Sequence, residues 1–211
     1  DNGLSEAKKA GQLLVKKNIR IDFAYTSYLK RANSTLKIIL ENMKLENIGF
    51  TKSWEFNERH YGSLTGLNKS EMKEQLGEEK IKIYRRSWDI APPELSEDSE
   101  FNPRNDIIYK DINEDAIPNT ESLKDTYDRV IPYFNINIRP KILAGKNVII
   151  AAHGNSLRAL CKLLFNISNE NINKLEIPTG NPLLVKLDSD LKFISAFYLD
   201  ETRAQTIIQN K

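Results

Sequence analysis

Apolar positions along the chain fall into two rhythms. Leu29, Ala32, Leu36, Ile39, Leu40 and Met43 recur at helical spacing, which predicts a helix over 29–43 with one buried stripe. "LSEAKKAGQLLVKK" (4–17) reads as another amphipathic helix, with Ser5 placed to cap it. Between them "FAYTS" (23–27) is short, aromatic and β-leaning, so the chain begins helix, strand, helix. "KNVIIAA" (146–152) is apolar without alternation, as a parallel strand covered on both faces requires. Leu157, Leu160, Cys161 and Leu164 follow it as the buried side of a helix. "PLLVKLD" and "FISAFYLD", joined by the turn-like Ser189-Asp190, predict a hairpin at the end of the sheet. Leu123, Tyr127, Val130, Ile131, Phe134 and Ile138 keep a helical period across Pro132 and Pro140, which predicts a bent helix. From 89 to 118 the rhythm is lost among Pro92, Pro93, Pro103, Pro118 and many acids, the pattern of a long surface insertion. The expectation is one α/β domain over 1–211, its sheet mostly parallel, with the insertion 89–118 within it.

Composition narrows the function classes. With 211 residues the chain can bury a core without disulfides or metal. Thirty-one Lys and Arg against 29 Asp and Glu leave a charge of +2, so no global field points to nucleic acid. Cys161 is the single cysteine, and neither a leader pattern nor an apolar run of roughly 20 residues appears, so a cytoplasmic protein without a membrane span is expected.

Four places carry candidate chemistry. His153-Gly154-Asn155 falls where a parallel strand gives way to a helix, the edge at which open α/β sheets collect ligands. His153 there reads equally as a strand-end packing residue or a functional one. Gly154 admits close approach of a ligand, and Asn155 offers a cap and an amide. "SWEFNERHYGSLTGLNKSE" (53–71) gathers Glu58, Arg59, His60, Tyr61 and Lys69 in a loop; Glu58 beside Arg59 is a surface ion pair or a general acid/base next to a bound anion. His60, in an aromatic loop, needs no function. Arg85 and Arg86 lie in "IKIYRRSWD" (81–89), either as a solvated helix face or as a fork for phosphate or carboxylate. Arg31 in "YTSYLKRA" sits one turn into a helix that follows a strand. Cys161 is not followed by Arg at the spacing of a cysteine-phosphatase loop, Gly145-Lys146 is no P-loop, and two histidines 93 residues apart give no metal signature.

Taken together, "YTSYLKRA", "NERHYGSLTGLNK", "GEEKIKIYRRSWDIAPPEL", "TESLKDT", "IIAAHGNSLRAL" and "IPTGNPLLVKLD" resemble, in order and over nearly the whole chain, the cofactor-dependent phosphoglycerate mutases of the histidine phosphatase superfamily. The resemblance implies a three-layer αβα fold and interconversion of 3-phosphoglycerate and 2-phosphoglycerate, primed by 2,3-bisphosphoglycerate and without a metal. It also implies small phosphoglycerates as partners, neither nucleic acid nor membrane, and assembly as a homodimer or homotetramer.

Carried over by position, His153 resembles the second active-site histidine and Glu58 the group that exchanges a proton with the substrate hydroxyl. Arg31 resembles the arginine on the transferring phosphoryl. Arg59, Tyr61, Lys69, Arg85 and Arg86 resemble substrate-binding positions, with Gly154 and Asn155 beside the phosphoryl site. The family's nucleophile, the histidine of an Arg-His-Gly triplet, has no counterpart here. Asp1-Asn2-Gly3 resembles the turn after it, which puts the expected nucleophile upstream of Asp1, about one strand and a loop away. The alternatives are a bisphosphoglycerate mutase or phosphatase on the same site, or, without that segment, a non-catalytic anion-binding protein.

Overall fold

The computed structural model describes residues 2–207, apart from the side chains of Lys69 and Gln75. Helix α1 (Asn2–Lys16) precedes strand β1 (Phe23–Thr26) and helix α2 (Lys30–Asn42). After the short strand β2 (Thr51–Lys52) comes helix α3 (Lys69–Arg86), capped by Asn68 and broken at Gly77, whose φ is 75°. Helix α4 (Leu123–Tyr133) runs through a π turn (Phe134–Ile138) into helix α5 (Arg139–Leu143). Strand β3 (Val148–Ala151), helix α6 (Gly154–Leu164) and the hairpin β4 (Leu183–Leu187) and β5 (Phe193–Tyr198) complete it.

The bend predicted near Pro132 and Pro140 is the π turn. Pro140 has no N–H to offer the Ile136 carbonyl, and in the widened turn the next backbone carbonyl, that of Asn137, accepts from the Tyr25 hydroxyl at 3.2 Å. Ser5 is not the cap: α1 starts three residues earlier, at Asn2, which leaves Ser5 inside the first turns.

Strands pair in the order β2-β1-β3, all parallel, with Phe23 opposite Val148 and Thr26 opposite Ala151. Each strand's side chains alternate between two helical layers. On one face Ile149 and Leu184 pack with Ala10, Leu14, Ile39 and Leu199. On the other, Val148, Ile150, Leu183 and Val185 pack with Val130, Ile131, Phe134, Ile138, Ala159 and Leu160. The architecture is therefore three-layered, with α1 and α2 on one side and α4 and α6 on the other. Fully buried Leu36 and Val130 each contribute roughly 1.5–3 kcal/mol by leaving water.

The hairpin departs from expectation. It forms its own antiparallel pair, and among the described residues no ladder joins β4 to β3, although both strands feed the same two helical layers. Residues 89–118 run as loop and three single 3-10 turns, held by buried Tyr109, Ile117 and Asn102.

Helices α1 and α2 cross closely at Gly11. A Cβ there would lie 2.7 Å from Asn42 Cβ and 3.2 Å from the Ile39 carbonyl oxygen. Gly11→Val should therefore destabilise the fold by about 1–3 kcal/mol despite relieving glycine's backbone entropy. Chemical denaturation checks this, and an unchanged midpoint would contradict the close crossing.

Candidate active site

The sheet's parallel register carries β1 and β3 out of the layer at the same level, so the residues after them meet. His153, the residue before α6 and buried, places Nε2 2.9 Å from Ser27 Oγ and Nδ1 3.3 Å from an Arg31 guanidinium nitrogen. Arginine can only donate, so Nδ1 accepts and Nε2–H donates to Ser27 Oγ, which also accepts from the Leu29 N–H at 3.1 Å. That pattern is the neutral imidazole. Burial pushes the His153 pKa down to about 4; the Glu58 carboxylate opposes this, and the Arg31 and Arg129 charges add to it.

Glu58 arrives from the loop after β2. Its Oε1 accepts from the Arg59 N–H at 2.8 Å and from the Asn155 side-chain amide at 2.9 Å. The same amide reaches the Tyr61 hydroxyl at 2.9 Å. Asn155 therefore does not cap α6. Ser156 Oγ takes the capping role by accepting from the His153 N–H at 3.2 Å, which frees the Asn155 amide for the site. Gly154 opens the helix, and a Cβ there would meet only Glu58 Oε2, at an ordinary 4.0 Å. Gly62 is more constrained, since its φ is 55° and a Cβ would sit 2.1 Å from the Pro93 carbonyl oxygen, stitching this loop to the start of the insertion.

Arg59 and Arg158 bring guanidinium groups to this point, and Arg86 lies farther out, its charge felt by Arg158. Arg59 is 3% exposed, lies 4.7 Å from the Tyr61 ring centroid and donates to the Tyr84 carbonyl at 2.8 Å. Its Nε and Nη1 are buried without a hydrogen-bond partner. Arg158 donates to Asn155 Oδ1 at 3.0 Å and to the Leu175 carbonyl at 3.0 Å. Its pKa is lowered, first by burial, with Arg86 and Arg59 adding to the effect against Glu176. Arg86 is engaged by Glu176 and by the Asn173 carbonyl at 3.2 Å. Arg85 lies exposed in the last turn of α3. Lys69 opens α3, and its side chain lies outside the described residues. Arg59 is thus a buried cation with two unsatisfied donors next to the loop carboxylate Glu58.

Two cavities flank the Arg31 helix start. One, of about 470 Å³, is lined by Tyr28, Lys30, Asn33, Lys52, Asp106 and Ile108; the other, of about 230 Å³, includes Gly3, Arg31, Ser34 and Ile38. Among the described residues, no cluster of His, Cys, Asp or Glu is set to hold a metal, and no helix is long and apolar enough to cross a membrane.

The model of the histidine phosphatase superfamily (branch 1) matches residues 1–112 and 96–198. The chain belongs to the histidine phosphatase superfamily. Within the superfamily it is 50% identical over 206 residues to the 2,3-bisphosphoglycerate-dependent phosphoglycerate mutase of Pelagibacter ubique, covering 98% of this chain and 86% of that protein. It is 48% identical over 211 residues to the enzyme of the same name from Borrelia garinii subsp. bavariensis, covering 100% of this chain and 85% of that one. Solved structures share the fold: a mycobacterial glucosyl-3-phosphoglycerate phosphatase superposes with a TM-score of 0.64 at 18% identity over 94% of this chain and 84% of its own. Bacillus stearothermophilus YhfR gives 0.65 at 16% identity over 92% and 80%.

Arg31, Glu58, Arg59, Tyr61, His153, Gly154 and Asn155 are thus gathered at one edge. Ser27 and Arg158 join them without having been singled out from sequence. Arg158 had a readable signal, because it stands one helical turn after Asn155 on the same face.

Because His153 is neutral when folded and has an ordinary value near 6.5 when unfolded, it contributes stability above pH 6.5 that is lost as pH falls toward about 4. His153→Gln should flatten the unfolding free energy across that window. An identical pH dependence in both proteins, measured by urea titration, would contradict the neutral assignment.

Proposed function

We propose that this superfamily member is a 2,3-bisphosphoglycerate-dependent phosphoglycerate mutase, interconverting 3-phosphoglycerate and 2-phosphoglycerate. The observation that carries the reading is Arg59, a buried guanidinium with two unpartnered N–H groups, set beside Glu58, Tyr61 and Asn155. Those donors fit a phosphate or carboxylate, and the mutases that share about half of its sequence over almost its full length supply the substrate class. The long 81–118 region, stitched to the site loop at Gly62, favours the mutase over a phosphatase.

In this reading Arg31 and neutral His153 hold the transferring phosphoryl group, whose charge spreads over three oxygens and is stabilised by positioned donors. The one N–H of the neutral imidazole, donated to Ser27 Oγ in this structure, is donated instead to the phosphoryl when it binds, and Arg31 supplies the cation. Glu58 takes the proton of the attacking substrate hydroxyl and returns it to the leaving one. Arg59, Tyr61, Lys69, Arg85 and Arg86 bind the phosphate and carboxylate, with Gly154 and Asn155 lining the phosphoryl site. When bound, the bisphosphate supplies the phosphoryl group that primes the enzyme.

We place the nucleophile, a histidine that becomes phosphohistidine, on a strand upstream of Asp1. Strands β3 and β4 send side chains into the same two helical layers with no ladder between them among the described residues, which supports a strand in that place. The resemblance also supports a cytoplasmic homodimer or homotetramer.

In a coupled assay on the full-length protein, 2,3-bisphosphoglycerate should stimulate turnover. Glu58→Gln should lower kcat roughly 100-fold, and Arg59→Met should raise KM by about tenfold or more. Turnover indifferent to the bisphosphate, with no acid-labile phosphoenzyme, would overturn the reading.

A further inference from the structure

We propose that the buried ion pair between Glu121 and Arg129 is a positioning device for Glu58, pinning the chain on both sides of it without touching its carboxylate. The inference rests on the proton-transfer reading of Glu58 and adds to it how that carboxylate is aimed.

Glu121 stands just before α4 and is 1% exposed; Arg129 lies two turns along the same helix. Its Nε donates to Glu121 Oε1 at 2.6 Å and its Nη2 to Oε2 at 2.9 Å. Such a pair recovers its desolvation cost only if its remaining hydrogen-bonding capacity is satisfied. Here the surplus goes entirely to the loop that bears Glu58. Arg129 donates to the carbonyls of Trp54 at 3.4 Å, Glu55, Asn57 at 3.2 Å and Glu58 at 3.4 Å, with its guanidinium 5.4 Å from the Trp54 ring centroid. Glu121 Oε2 accepts from the His60 N–H at 2.8 Å and lies 2.9 Å from His60 Nδ1. Residues 54–60 hold only one 3-10 turn, Trp54–Phe56, so these contacts replace the ladder that a strand would have had.

The network extends toward the other half of the site. His60 Nε2 lies 3.4 Å from the Tyr109 hydroxyl, Tyr109 accepts from the Asn57 amide at 2.7 Å, and Asn57 Oδ1 accepts from the Tyr28 N–H at 2.8 Å, directly before the helix that carries Arg31. The two sequence neighbours of the Glu58–Arg59 pair, Asn57 and His60, thus face the scaffold while Glu58 faces Asn155.

The test measures turnover and unfolding of the full-length protein carrying Arg129→Lys or His60→Gln, each alone and combined with Glu58→Gln. Lysine keeps the charge against Glu121 but cannot reach four carbonyls, and His60→Gln leaves the ion pair whole should the lysine variant fail to fold. Each variant alone should lose roughly 10- to 100-fold in kcat with KM within about twofold. In the Glu58→Gln background neither should slow turnover further, because a positioning group acts only through the group it positions. Equal losses in both backgrounds, or folded variants with unchanged kcat while Glu58→Gln is slow, would overturn the positioning role alone. Wild-type turnover by Glu58→Gln would overturn the acid–base reading together with it.

Discussion

Thr26 faces Ala151 in a parallel ladder, and almost everything at the site follows from that register. Two strands that end level with each other must send their next residues into the same small volume. Ser27 and His153 are therefore neighbours in space at a separation of 126 residues. The helices that start there point their N-termini, and their unsatisfied N–H groups, at the same place. A one-residue slip in the β1–β3 pairing would turn Ala24 and Ile149 out of their layer and part Ser27 from His153 in the same stroke. Core packing and site geometry are thus set by a single alignment.

Charge is arranged around that point with equal economy. Arg31, Arg59, Arg86, Arg129 and Arg158 all lie near it, yet they are not equivalent. Arg129 is consumed by Glu121 and a set of carbonyls, and Arg86 by Glu176. Arg59 alone among these keeps buried donors in reserve. The acids are similarly divided: Glu121, held near 2 by Arg129 and His60 against the cost of burial, stays ionised as scaffold, whereas Glu58 is tied only to donors at the site edge. The neutral His153 lets these cations crowd one another without adding another charge.

Much of this was legible in the chain, for physical reasons that also mark the limits. The stripe from Leu29 to Met43 gives α2 almost to the residue, with those two residues standing as its flanking caps. The unalternating run before His153 gives β3, because burial on both faces leaves no polar beat. Helical periodicity located the bend before α5 but not its π turn. Nor could local pattern separate Glu58 from His60, two residues apart and equally polar, since their difference is made by Glu121, 61 positions away from His60. Ser27 carried no signal of its own, and Asn155 signalled a cap that Ser156 supplies instead. The hairpin's residues were plain, but its failure to bond to β3 was not, because side-chain alternation records which layer a strand faces and says nothing of which strand lies beside it.

That last feature bears on what one further strand would join. Among the described residues the ladder runs from β2 through β1 to β3, and the hairpin β4–β5 meets that sheet through side chains that both press against shared helices. The strand proposed upstream of Asp1 would then join two units that already share a roof and a floor, tying the hairpin by backbone hydrogen bonds to the strands that carry the site.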